Sequence, residues 1–169
     1  MNKHKHLGVA LLLAGVWAGG ARPVTAQEGI AVGAKAPAVS LKTLDGTVVN
    51  LATYLGKKPV VLEWWASWCG NCEELLPKVK AAQAAVGADV VFLGINVTVN
   101  QTKERAQRYI AEHKPPFLTL WDDGGVSARA YGVPATSYIV VVDRTGKVVY
   151  TGVGGSQDVG AAVKLAVAK

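Results

Sequence analysis

One apolar run, ending in the only two cysteines of the chain, constrains the fold more than any other feature. Val60-Val61-Leu62-Glu63-Trp64-Trp65-Ala66 is interrupted only by Glu63, and it leads through Ser67 into Trp68-Cys69-Gly70-Asn71-Cys72. A continuous run of this composition reads as a strand buried on both faces. From Cys69 to Val86 the spacing turns helical, with Leu75, Leu76, Val79 and Ala82 or Val86 along one face. A buried strand that feeds a helix requires a sheet covered by helices. Positions three apart on a helix are neighbours, close enough for the Cβ separation of a disulfide. A cysteine at the helix start also meets unpaired N–H groups and the positive end of the macrodipole, which stabilise a thiolate. The pair therefore reads as a thiol–disulfide exchange site, with Cys69 attacking and Cys72, one turn deeper, resolving.

Three plainer readings weigh less. A structural disulfide closing so short a loop gains only about 2 kcal/mol from chain entropy. A zinc site needs four ligands, and the chain has no further cysteine and three histidines, so no metal site is expected. A c-type haem site needs His directly after the second cysteine, where this chain has Glu73.

Residues 1–26 read as a secretory signal peptide. Lys3 and Lys5 precede an apolar stretch from Leu7 to Gly20, and Val24-Thr25-Ala26 offers a small-residue cleavage site. The stretch is short for a membrane span, which takes about 20 residues; an uncleaved anchor is the other reading. Either way the expectation is an exported, periplasmic domain, free or membrane-tethered through its N-terminus. There a disulfide can form and persist. Without this segment the charge falls from +6 to +3, too mild and too evenly spread for nucleic acid. The remaining 143 residues suit one domain.

Along that domain, residues 27–36 read as a flexible leader and 37–169 as the folded unit. Short strands are expected near Val39–Leu41 and Val48–Leu51, joined across Asp45-Gly46. A helical turn over Ala52–Leu55 follows. Beyond the cysteine helix, which Pro77 should kink, come a strand over Asp89–Val97 and a helix over Gln101–His113. Asn100 or Thr102 is placed to cap that helix. Phe117–Trp121 reads as extended and Gly125–Tyr131 as a short helix. Ala135–Val142 and Lys147–Val153 form a hairpin across Asp143-Arg144-Thr145-Gly146, and Gln157–Ala168 closes the chain as a helix. The fold class is α/β, a mixed sheet flanked by helices.

Taken together, Glu63 to Cys72, the segment Gly132-Val133-Pro134-Ala135-Thr136 and the N-terminal hairpin resemble the thioredoxin superfamily. More narrowly they resemble its exported TlpA/ResA-like thiol–disulfide oxidoreductases, with a central insertion before the proline loop. The likeness covers about residues 33–169. It implies that Pro134 is cis and lies beside the cysteines, so that the backbone of Val133 pairs with an extended substrate segment. It places Glu63 where thioredoxins carry a buried acid, a group that would take the proton from Cys72; a strand-end Glu reaching solvent is the alternative. Asn71 stands where many relatives have proline, so the redox poise does not carry over. Leu75 stands where many TlpA/ResA-like reductases have Glu, and neither Glu73 nor Glu74 is assigned that role.

Trp64 and Trp65 read as core. Trp68, Gly70 and Asn71 border the nucleophile and are candidate substrate contacts. His113 reads as a solvated helix end. The resemblance implies a reductase of protein disulfides, cytochrome c maturation among its settings. No cofactor beyond the Cys69–Cys72 disulfide is expected, and a membrane thiol transporter is the expected electron donor to a monomer. Two alternatives stand beside it. A peroxiredoxin-like peroxidase would need Thr or Ser where this chain has Ala66. A metal- or haem-assembly chaperone of this fold would use one more residue between the cysteines.

Overall fold

The computed structural model describes residues 29–168; the expected signal peptide lies outside them. In chain order the elements are β1 (Ser40–Thr43), β2 (Val48–Asn50), β3 (Val60–Trp65), α1 (Gly70–Val86), β4 (Val91–Val97) and α2 (Lys103–His113). Then come β5 (Leu118–Asp122), α3 (Val126–Ala130), β6 (Tyr138–Val142), β7 (Val148–Val153) and α4 (Val159–Val167). One seven-stranded sheet runs β2-β1-β5-β4-β3-β6-β7. The strands β3, β4 and β5 are parallel, while β6 and β7 add antiparallel on one side and the β1–β2 hairpin on the other. This is the thioredoxin-like mixed sheet that the sequence implies.

β3 lies inside the sheet with all six residues buried, as its unbroken apolar character requires. Successive side chains point to opposite faces. Val60, Leu62 and Trp64 enter a core with Leu51, Tyr131 and Tyr138. Val61 faces α1 and α4 through Leu75, Val79 and Val163. Trp65 packs with Cys69, Cys72, Ala106 and Tyr109, which brings α2 against the cysteines.

Two turns follow the expected chemistry. Gly46 (φ 96°) closes the β1–β2 hairpin, and the Asp143 carboxylate accepts from the N–H groups of Thr145 and Lys147 across the β6–β7 turn. Thr102 caps α2, its hydroxyl accepting from Arg105 N at 3.3 Å. α1 continues through the exposed Pro77.

Two expectations change. Residues 33–36, read as part of a flexible leader, are tied to the β6–β7 hairpin. Gly33 N donates to Val148 O (2.7 Å), Val148 N to Ala34 O (2.9 Å) and Ala36 N to Gly146 O (2.9 Å). These bonds pair the start of an otherwise open strand edge, at Val148. The Val133–Pro134 bond is trans, as no cis peptide occurs among the described residues. Gly132 (φ 59°) and Ser137 (φ 63°) reverse the chain on either side of the proline. The bond itself therefore keeps the lower-energy isomer.

Candidate active site

Cys69 is the N-cap of α1, with extended backbone (φ −92°, ψ 102°) and its Sγ accepting from Cys72 N at 3.1 Å. The two cysteines form a disulfide with Cα atoms 5.2 Å apart. Both are buried, while Gly70 and Asn71 between them are exposed. The helix start thus offers an N–H to the Cys69 sulfur, the interaction that favours a thiolate there.

Trp68 is 44% exposed beside this pair, and its Nε1 donates to Val99 O at 3.0 Å. Ser67 Oγ donates to Gln101 Oε1 at 2.8 Å. The residues flanking the nucleophile are thereby stitched to the β4–α2 loop. Sequence reasoning missed this contact, because partners more than thirty positions apart leave no periodic signal.

Glu63 is buried on the same face of β3 as Trp65. Its ladder neighbour in β4 is Gly94, where the Phe117 ring fills the space a side chain would take. Burial pushes its carboxyl up to about 8 from an ordinary 4.5, since desolvation disfavours the charged form. Its Oε2 has no hydrogen-bond partner in the structure. This is a buried acid, and the solvent-reaching alternative is excluded by its 3% exposure.

Tyr109 on α2 covers Trp65, with ring centroids 5.1 Å apart. Burial first, then the charges of Glu73, Glu63 and Glu112, push its hydroxyl up to about 12. His113 stacks on Tyr109 at 4.0 Å and, with Ser67, Glu73, Arg105 and Arg108, lines a polar cleft of about 410 Å³. The Ala106–Tyr109 pair, three apart and apolar on a polar helix, was the readable signal for α2 packing. Glu74 points elsewhere, toward Lys78 (3.8 Å) and over Gly155.

The proline loop reaches the sheet beside the end of β3. Ser137 N donates to Trp64 O at 2.7 Å, and Tyr138 pairs with Trp64 in the ladder. Cysteines and loop thus share one end of the sheet. Pro134 is exposed and Val133 partly buried. The Val133 N–H is already donated to Ala128 O at 2.9 Å, so pairing through Val133 is left to its carbonyl.

With a buried strand, a disulfide at the start of its helix and an acid on the same face, the comparisons with known proteins agree. The Redoxin family profile matches residues 31–165. The chain belongs to the Redoxin family. Within the thioredoxin superfamily it is TlpA/ResA-like, an enzyme of thiol–disulfide exchange. The thioredoxin-like protein YneN of Bacillus subtilis is 32% identical over 121 residues, covering 71% of this chain and 70% of that protein. The thiol-disulfide oxidoreductase ResA of Bacillus thuringiensis is 27% identical over 132 residues, covering 74% and 71%. A solved secreted disulfide oxidoreductase of Mycobacterium tuberculosis, described as homologous to E. coli DsbE, superposes with a TM-score of 0.64. It is 27% identical, with 75% of this chain and 94% of that one covered.

Proposed function

We propose that this Redoxin-family chain is an exported reductase of protein disulfides. The observation that carries the reading is the Cys69–Cys72 disulfide at the start of α1, with Cys69 Sγ in hydrogen-bond contact with the helix N-terminus. In the reduced protein the Cys69 thiolate attacks a substrate disulfide, forming a mixed disulfide and releasing one substrate thiolate. Cys72 then gives up its proton and attacks Cys69 Sγ. The Cys69–Cys72 disulfide forms and the second substrate thiolate leaves, so two electrons have passed to the substrate. Cys72 lies three residues into α1 from the N-cap Cys69, to which it is bonded in the structure. Glu63, buried on the same face and protonating near pH 8, is the proposed acceptor of the Cys72 proton.

Trp68, Gly70, Asn71, the Val133 carbonyl and Pro134 form the proposed substrate-contacting surface. Export is supported by the signal-like pattern of residues 1–26, two lysines before an apolar stretch and a small-residue site, and by the similarity to a secreted disulfide oxidoreductase. An exported reductase needs electrons from outside its compartment, so a membrane thiol transporter is the proposed donor. Envelope proteins, apocytochrome c among them, are the proposed substrates, and the redox disulfide is the sole proposed prosthetic chemistry.

The deciding experiment equilibrates the Cys69–Cys72 couple in glutathione and dithiothreitol buffers, read by tryptophan fluorescence. A potential near roughly −270 mV supports a reductase, and one near roughly −120 mV makes the protein an oxidant instead. In parallel, Cys72→Ser should accumulate a mixed disulfide through Cys69, and Cys69→Ser should form none.

A further inference from the structure

We infer that Gln157 is a positioning residue for the substrate loop, a buried amide that clamps Ser137 and so holds Val133 and Pro134 in place beside the redox helix. The inference rests on the reading of Val133 and Pro134 as substrate-contacting. Ser137 is the last residue before β6, fully buried and held at φ 63°. A non-glycine residue in the left-handed region is unfavourable and persists only where its surroundings over-determine it. The Ser137 side chain does not supply that restraint, because its buried Oγ has no hydrogen-bond partner in the structure.

The backbone of Ser137 supplies it instead. Its N–H donates to Trp64 O at 2.7 Å, at the end of the redox strand. Its carbonyl accepts twice, from Gly154 N at 3.1 Å and from Gln157 Nε2 at 3.0 Å. Gln157 lies in the β7–α4 turn and is 8% exposed. The same Nε2 donates to Gly154 O at 2.7 Å, and Oε1 accepts from the Tyr150 hydroxyl at 3.2 Å. Both amide protons and the amide oxygen are thus committed. The chain leaves room for this arrangement at Gly152, where a Cβ would overlap Gln157 Oε1 and the Tyr150 hydroxyl.

The other side of the same turn is held by α1. Lys78 Nζ donates to Gly155 O at 2.6 Å, and the Glu74 side chain occupies the space a Gly155 Cβ would need. Residues 154–157 therefore touch the redox helix on one side and the substrate loop on the other. An amide that served the turn alone would need only its bond to Gly154. The second bond, to a strained residue of a different loop, is what a positioning role requires.

The test uses steady-state reduction of insulin with dithiothreitol as donor, beside single-turnover reaction of the reduced protein with 5,5′-dithiobis(2-nitrobenzoic acid). The small aromatic disulfide needs the thiol and little of the loop. Gln157→Glu keeps the size and removes the donors; Gln157→Met serves if the added charge prevents folding. Losing both buried N–H donors, the one to Ser137 among them, should raise the KM for insulin about tenfold, with kcat changed by less than about twofold. The aromatic disulfide rate should change by less than about twofold as well. Pro134→Ala tests the underlying reading. If Pro134→Ala raises the insulin KM and the Gln157 variants do not, the clamp is overturned and the loop reading stands. If neither changes it, the loop reading fails and the clamp with it. Equal slowing of both disulfides by Gln157 variants would also overturn the positioning role.

Discussion

Trp64 and Trp65 are adjacent on one strand and equally buried, yet their environments differ in kind. Trp64 donates from Nε1 to Ser127 Oγ at 2.9 Å. Behind it the Asp122 carboxylate accepts from the N–H groups of Ser127 and Ala128, at 2.9 and 3.0 Å. Trp65, on the opposite face, has an Nε1 with no partner, and the same holds for Glu63 Oε2 and Asn96 Oδ1 beside it on that face. Buried polar atoms are nearly always paired, so the contrast between the two indoles marks the surroundings of Trp65 as carrying unspent polarity. Conflicts between local rules and the fold concentrate where chemistry occurs.

Changing the acid tests this contrast most severely. Glu63 has a folded-state value near 8 against 4.5. Because the folded value is the higher one, its contribution to stability is fully present below pH 4.5 and is lost as pH rises through 8. The shift corresponds to a loss of about 4–5 kcal/mol at most across that window. Glu63→Gln should flatten the pH dependence of the denaturation midpoint between pH 5 and 9; parallel curves for the two proteins would remove Glu63 as the source. The same variant should slow release of the mixed disulfide above neutral pH.

A paired substitution comes next in size. Trp64→Phe strands the Ser127 hydroxyl and opens a void, costing about 2–3 kcal/mol. Trp65→Phe gives up a donor that has no partner, so only packing is lost, about 1–2 kcal/mol. Equal costs in urea melts would break the comparison. Asp122→Ala, which removes two acceptors from the start of α3, should cost about 1 kcal/mol and leave exchange rates unchanged.

Much of this was legible in the residues. The unbroken apolar character of 60–66 marked an interior strand, Asp45-Gly46 and Asp143–Gly146 marked their turns, and the cysteine spacing marked the helix start. Glu63 stood out as the one charge in that run, but a buried acid and a strand-end Glu reaching solvent were both open until its burial in the structure decided between them. Other features were not legible. Gln101 meets Ser67 across a loop, and Gln157 meets Ser137 across a turn; a polar residue's partner is set by where the chain returns. The resemblance suggested a cis Pro134, whereas the turn is made by the φ values of Gly132 and Ser137.

The sequence by itself determined the redox pair, its place at a helix N-terminus and the α/β sheet around it, because strand period, helix period and cysteine spacing are local properties. Tertiary structure alone decided which polar groups are satisfied. It put α2 over Trp65, left Glu63 Oε2 without a partner, spent the Val133 N–H on Ala128 and tied Ser137 to Gln157. Those outcomes depend on which distant segments share a face, and hydrogen bonding in a desolvated interior is decided by geometry at the level of single ångströms.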